Sequence, residues 1–156
     1  MTRSLLLFQH GGVWYEPTPP ETCFGCAILN IVKELTNQEF DQLITRAMDE
    51  LPQEYIKDMH NVAIVMEDAP SDEQRVKLKL RPNNLLLGLY EGVPRIMQTG
   101  NENGLLPGKI TLFKNHILAT VHDEQSLFEQ IKRTLWHEIA HYYGLDHDKI
   151  DELQQR

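Results

Sequence analysis

The chain has only two cysteines in 156 residues, Cys23 and Cys26. That is too few to staple a secreted scaffold, and one C-x-x-C without a second pair cannot complete a four-cysteine zinc site. No apolar run approaches the roughly 20 residues that cross a bilayer. SLLLF near the start is shorter than a signal-peptide core, and the lone Arg3 is followed by no small-residue cleavage site, which argues against export. Basic residues are also in deficit. Against 23 Asp and Glu stand 15 Lys and Arg, a net charge of −8 that disfavours nonspecific attachment to nucleic acid or anionic lipid. There is no internal repeat and no low-complexity segment. With 41% hydrophobic and 24% charged residues, the composition is that of a globular chain with room for one core and not two. The expectation is a cytoplasmic protein with neither membrane nor nucleic acid as a partner.

Chemistry is concentrated in one stretch, HEIAHYYGLDH, from His137 to His147. An i, i+4 pair on an α-helix lies about 40° apart around the axis, so His137 and His141 project side by side. Two imidazoles so placed can share a tetrahedral Zn²⁺ at about 2.0–2.1 Å. Glu138 stands at the edge of that face, where a carboxylate reaches a metal-bound water without ligating the metal. Gly144 allows the helix to end in a left-handed turn, and the reversed chain can then offer His147 as a third ligand. H-E-x-x-H alone arises by chance on solvated helices. The extended H-E-x-x-H-x-x-G-x-x-H fixes five positions, each with a mechanical reason. Leu127, Ile131, Leu135 and Ile139 form the core face of this helix, whereas Gln130 and Thr134 precede the histidines on a polar strip. The expectation is that the histidines look into a polar cleft.

The rest of the chain supplies a scaffold. Residues 1–35 are rich in Gly and Pro around GGVWYEPTPPETCFGC and read as a loop-rich N-terminal extension with short extended pieces. Cys23 and Cys26 read as reduced thiols. A sharper alternative is a thiolate that reaches the zinc and blocks it, supported only by the affinity of sulfur for that metal. Residues 36–156 read as one domain. Thr36 and Glu39 make a capping box, and Phe40, Leu43, Ile44, Ala47 and Leu51 follow at helical spacing until Pro52. A short second helix through Tyr55 and Met59 fits what comes next. NVAIVM, LLLGLY and KITLF read as strands, with a loop through QTGNENGLLPG. Residues 73–80 fit either an exposed strand or a short helix. Asp123 caps the long helix ending at Tyr143, and a short helix is expected from Asp148 onward.

The order helix, NVAIVMEDAP, LLLGLYEGVPR, KITLF and HEIAHYYGLDH resembles the short bacterial zincin-like metallopeptidases with a minimal metalloprotease-like domain, over about residues 36 to 152. The resemblance implies an α+β, zincin-like fold, with a small mixed sheet packed on helices and a C-terminal metal-binding helix. Many members carry Asp where this chain has His147, which implies that a carboxylate can also serve there. Full metzincins add a methionine turn downstream. Here none of the nine residues after His147 is Met, and nothing in the sequence assigns Met59, Met66 or Met97 to that place.

The leading expectation is therefore a zinc metallopeptidase acting on a peptide or protein, with Zn²⁺ on His137, His141 and His147 and Glu138 as general base toward a metal-activated water. If KITLF is an edge strand, a peptide can add to it through backbone hydrogen bonds. Tyr90, Tyr142 and Tyr143 are candidate extra donors or packing residues. His10, His60, His116 and His122 read as surface or loop residues. One alternative is a metal-dependent endoribonuclease of the rRNA-processing type, whose three-histidine motif ends in G-Y-D-H much as GLDH does here. Glu138 and the acidic balance weigh against it. Another is a non-catalytic, zinc-stabilised interaction domain, in which all four metal positions are filled and a general base has no use. The oligomeric state is not encoded in these patterns.

Overall fold

The computed structural model describes residues 35–97, 106–145 and 150, together with the main chain of 15–17. Its first helix begins where the capping box lies. Glu39 N–H donates to Thr36 Oγ1 at 3.2 Å, and Thr36 N–H donates to Glu39 Oε2 at 2.8 Å. From there α1 runs Asn37–Glu50 and buries Phe40, Ile44 and Ala47. Pro52 separates it from a one-turn helix, α2, Gln53–Lys57.

Strand β2 (Val62–Glu67) follows, and the ambiguous segment after it is helical. Ser71 caps α3, Asp72–Lys77, through a second capping box with Gln74. Local capping chemistry thus decides between the strand and helix readings of residues 73–80. LLLGLY is two strands rather than one, β3 at Asn84–Leu86 and β4 at Gly88–Glu91, parted at Leu87. A 3-10 turn at Arg95–Met97, unforeseen from the sequence, leads on from them. Strand β5 (Gly108–Phe113) passes directly into α4 (Lys114–Leu118), and the last long element is α5, Glu124–Tyr143.

Strand order overturns the edge reading of KITLF. The three-stranded sheet runs β2-β5-β4, so β5 is central. It pairs parallel with β2, Val62 opposite Gly108, and antiparallel with β4, Gly88 opposite Leu112. Within the extension, β1 (Tyr15–Pro17) pairs antiparallel with β3, Tyr15 opposite Leu86. Cys23, Cys26, His10 and the expected terminal helix lie outside the described residues, apart from a helical Ile150.

The core lies between one face of the sheet and the pair α1 and α5. Ile110 and Leu112 of β5 meet Phe40 and Ala47 of α1 and the expected stripe of α5, in which Leu127, Ile131, Leu135 and Ile139 are all buried. Each of the Leu, Ile and Phe side chains contributes about 1.5–3 kcal/mol on removal from water. A smaller cluster of Leu86, Leu89 and Phe113 covers the opposite face together with Leu78 and Leu80. Lys114, nearly buried, ties α4 to the start of α1 by donating to the Leu35 carbonyl at 2.5 Å and to Asn37 Oδ1 at 2.9 Å. His116 is half-buried rather than a surface residue. Its Nδ1 accepts the Leu86 N–H at 3.0 Å and so joins α4 to β3.

A fragment beginning at Thr36 is expected to fold, since the capping box and the main core lie beyond that point. It should nevertheless unfold at a lower temperature than the whole chain. Truncation removes the ladder partner of β3 and one of the two acceptors of Lys114, and a buried donor left without an acceptor costs about 1–3 kcal/mol. Thermal melts followed by circular dichroism compare the two. A fragment with no cooperative transition would mean that residues 1–35 complete the core.

Candidate metal centre

Helix α5 carries its chemistry near its C-terminal end, and both of its ends are fixed by their own residues. Asp123 accepts the Ser126 N–H at 2.7 Å to start the helix. Gly144 stops it in the left-handed region at φ 75°, with its own N–H reaching the His141 carbonyl and the Leu145 N–H reaching that of Ala140. Space as well as backbone angle requires glycine there, because a Cβ at 144 would lie 2.6 Å from Ile96 Cδ1. The 3-10 turn therefore sits against the C-terminal end of α5.

Between those caps His137, Glu138 and His141 occupy one turn. The rings of His137 and His141 stand edge to face, centroids 4.6 Å apart, and their Nε2 atoms converge to 2.9 Å. Two ligands about 2.0–2.1 Å from one tetrahedral zinc stand about 3.3 Å apart. The pair is thus within a few tenths of an ångström of a shared-metal geometry, and imidazole nitrogen suits zinc. No group of three or more His, Cys, Asp or Glu comes together among the described residues. His147 and its rivals Asp146, Asp148 and Asp151 lie outside those residues.

Among the described residues, the polar strip of α5 is largely covered. Thr134 and His137 are 2% and 1% exposed, and Glu138 is wholly buried, while His141 is partly buried. Strand β4 lies over this strip, with Gly88 against Thr134 and Glu138. Polarity on a helix suggested solvent from sequence, whereas a neighbouring strand provides the cover. Burial pushes the Glu138 carboxyl up to about 8. The Tyr90 main-chain N–H pulls the other way, although neither carboxylate oxygen completes a hydrogen bond of good geometry.

The tyrosines named from sequence are engaged elsewhere. Tyr90 donates to the Val93 carbonyl at 3.1 Å and Tyr143 to that of Tyr55 at 2.6 Å, while Tyr142 accepts the His60 N–H at 3.3 Å. The contacts of Tyr142 and Tyr143 hold α2 and the segment after it against the end of α5. Arg95, which sequence reasoning passed over, adds a bond of 2.7 Å to the Asp58 carbonyl. Met59 and Met66 pack on the main core, and Met97 is exposed.

A small mixed sheet laid against a helix that bears H-E-x-x-H defines a domain of the zincin class. The family model for zincin-like metallopeptidases matches residues 59–156, more than half of the chain, and the chain belongs to that family. A solved structure of a conserved hypothetical protein from Thermo thermophilus is similar with a TM-score of 0.45 at 20% identity, covering 78% of this chain and 99% of that one. No curated protein matches. Among the described residues no helix is long and apolar enough to cross a membrane.

The buried carboxyl makes stability depend on pH in the metal-free protein. Its folded value of about 8 lies above the ordinary 4.5, so the folded state keeps a proton that the unfolded chain releases. Stability is therefore complete below about pH 4.5, falls as pH rises toward about 8, and is level beyond. Glu138→Gln should abolish that fall. Denaturant melts of chelator-treated protein at about pH 5 and about pH 8 measure it, and parallel pH dependence in both proteins would refute the assignment.

Proposed function

We propose that the chain is a zinc-dependent metallopeptidase in which His137, His141 and His147 hold the metal and Glu138 is the general base. The observation that carries this reading is the convergence of two imidazole nitrogens to 2.9 Å beside a buried carboxylate on the same helical turn. Family membership supports it. Bound zinc supplies Lewis acidity, lowering the pKa of a water to about 7 and polarising a carbonyl.

Glu138 takes the proton from the water that attacks the peptide carbonyl and returns it to the departing amine. Peptide and water thereby become an acid and an amine with no other reactant. His137 and His141, fixed on a capped helix, keep their spacing while Glu138 works from within the fold. Because β5 is central, the strand suited to a substrate is β4. It pairs with no second strand beyond β5 among the described residues and lies against Glu138 at Gly88. An extended peptide or unfolded protein would add to it by main-chain hydrogen bonds.

Metal analysis should find one zinc per chain, lost in both His137→Ala and His141→Ala. Glu138→Gln should keep the zinc and lose at least about 100-fold in hydrolysis of unfolded protein. Full zinc in either histidine variant, or unimpaired turnover in Glu138→Gln, refutes the reading. Chelator-sensitive cleavage of single-stranded RNA in place of protein would replace it with the nuclease reading.

His147→Ala should weaken zinc markedly, His147→Asp should keep part of it, and Asp146→Ala should cost little. Zinc titrations that show unchanged affinity in His147→Ala, with loss in Asp148→Ala or Asp151→Ala, would move the third ligand.

A further inference from the structure

Gly88 stands opposite Leu112 in the antiparallel ladder, and directly opposed residues share a face of the sheet. Leu112 belongs to the main core, so position 88 faces α5. Two residues on, Tyr90 meets the ring of Tyr142 edge to face at 6.0 Å, which keeps the strand along the same helix. A Cβ built on Gly88 would lie 2.8 Å from Glu138 Oε1, 2.9 Å from Glu138 Cγ and 2.8 Å from Thr134 Cγ2. Among the described glycines only Gly144 has a positive φ. Nothing in the backbone angles of Gly88 therefore calls for glycine, and only the space does.

We propose that Gly88 is a positioning residue for Glu138: the missing side chain is a notch that seats the Glu138 carboxylate, with Thr134 Cγ2 as its second wall. The inference rests on the reading of Glu138 as proton carrier and adds what sets its position. A methyl group at 88 can be accommodated in two ways. Either α5 retreats from β4, or the Glu138 side chain turns out of the notch and the Thr134 methyl rotates aside. The stripe from Leu127 to Ile139 is fully packed against the sheet and α1 and resists the first course. The three atoms nearest the new methyl all belong to side chains, two of them on Glu138, and none to the backbone, which favours the second. Alanine at 88 should therefore leave the fold and the two histidines in place and misdirect the carboxylate.

The test pairs structure with kinetics. A crystal structure of metal-free Gly88→Ala should show the Glu138 carboxylate displaced, with the His137 and His141 rings and the α5–β4 spacing retained. In the zinc-loaded protein, kcat on unfolded protein should fall about 100-fold, as expected for a misplacement near 1 Å, with KM and zinc content unchanged. In a Glu138→Gln background the same substitution should cost no further activity. If Gly88→Ala does not fold, Gly88→Ala with Thr134→Ala removes the helix-side wall and should fold with the same kinetic defect. Retreat of α5 with zinc, KM and kcat falling together, an unmoved Glu138 with normal kcat, or failure of both variants to fold would overturn the proposal. Activity surviving in Glu138→Gln alone would refute the general-base reading, while the carboxylate displacement in the metal-free crystal would still stand or fall by itself.

Discussion

The close approach of α5 to β4 is the contact on which the site depends. A helix and a strand usually meet through interlocking side chains, but at Gly88 the strand offers none, and the space is filled from the helix by Thr134 and Glu138. That brings an ionisable carboxyl into full burial, an arrangement that opposes folding whenever the group is charged. The surrounding apolar packing must outweigh it. Phe40, Ile110, Leu112, Ile131, Leu135 and Ile139, all wholly buried in the main core, form the part of the fold able to do so.

The ends of α5 matter for the same reason. A helix that frayed at its C-terminal end would lose the 2.9 Å convergence of His137 and His141 before it lost much helicity. The left-handed Gly144, the bonds of Tyr142 and Tyr143 to neighbouring main chain, and Arg95 between the Tyr143 hydroxyl and the Asp58 carbonyl all restrict that movement, while the capping box at Asp123 fixes the other end. Ion pairs take little part in this. Arg46 with Glu50, and Lys132 with Glu50 and Glu129, lie on exposed surface, where such pairs contribute about 0–1 kcal/mol.

What the sequence made legible was local. Thr36 with Glu39, Asp123 and Gly144 mark helix ends because their side chains or backbone angles act within one turn. The apolar stripe of α5 followed from helical period alone, and so did the placement of His137, Glu138 and His141 on one turn. Strand order was not legible, since the pairing of β2 with β5 joins segments far apart in the chain, and a central strand reads like an edge when both are short and apolar. The cover over Thr134 and His137 was hidden for a related reason. Polar residues on a helix signal solvent only if no other element lies across them, and β4 lies against Thr134 at Gly88. The role of Gly88 was equally silent, because a glycine inside LLLGLY gives no sign of which side chain will use its space. His116 shows the same limit, as its partner is the main chain of Leu86, thirty residues away.

The parallel pairing of β2 with β5, together with the lateness of α5, governs the order in which the molecule can assemble. During synthesis α1 and β2 emerge well before their partners, so Phe40, Ile44 and Ile64 must wait with apolar surface uncovered until β5 and then α5 arrive. Chains dominated by such distant contacts fold slowly and are open to aggregation in the interval. The same order bears on the candidate centre. His137, Glu138 and His141 share the helix that closes the core, so the burial of Glu138 under β4 is reached only when the globule is complete.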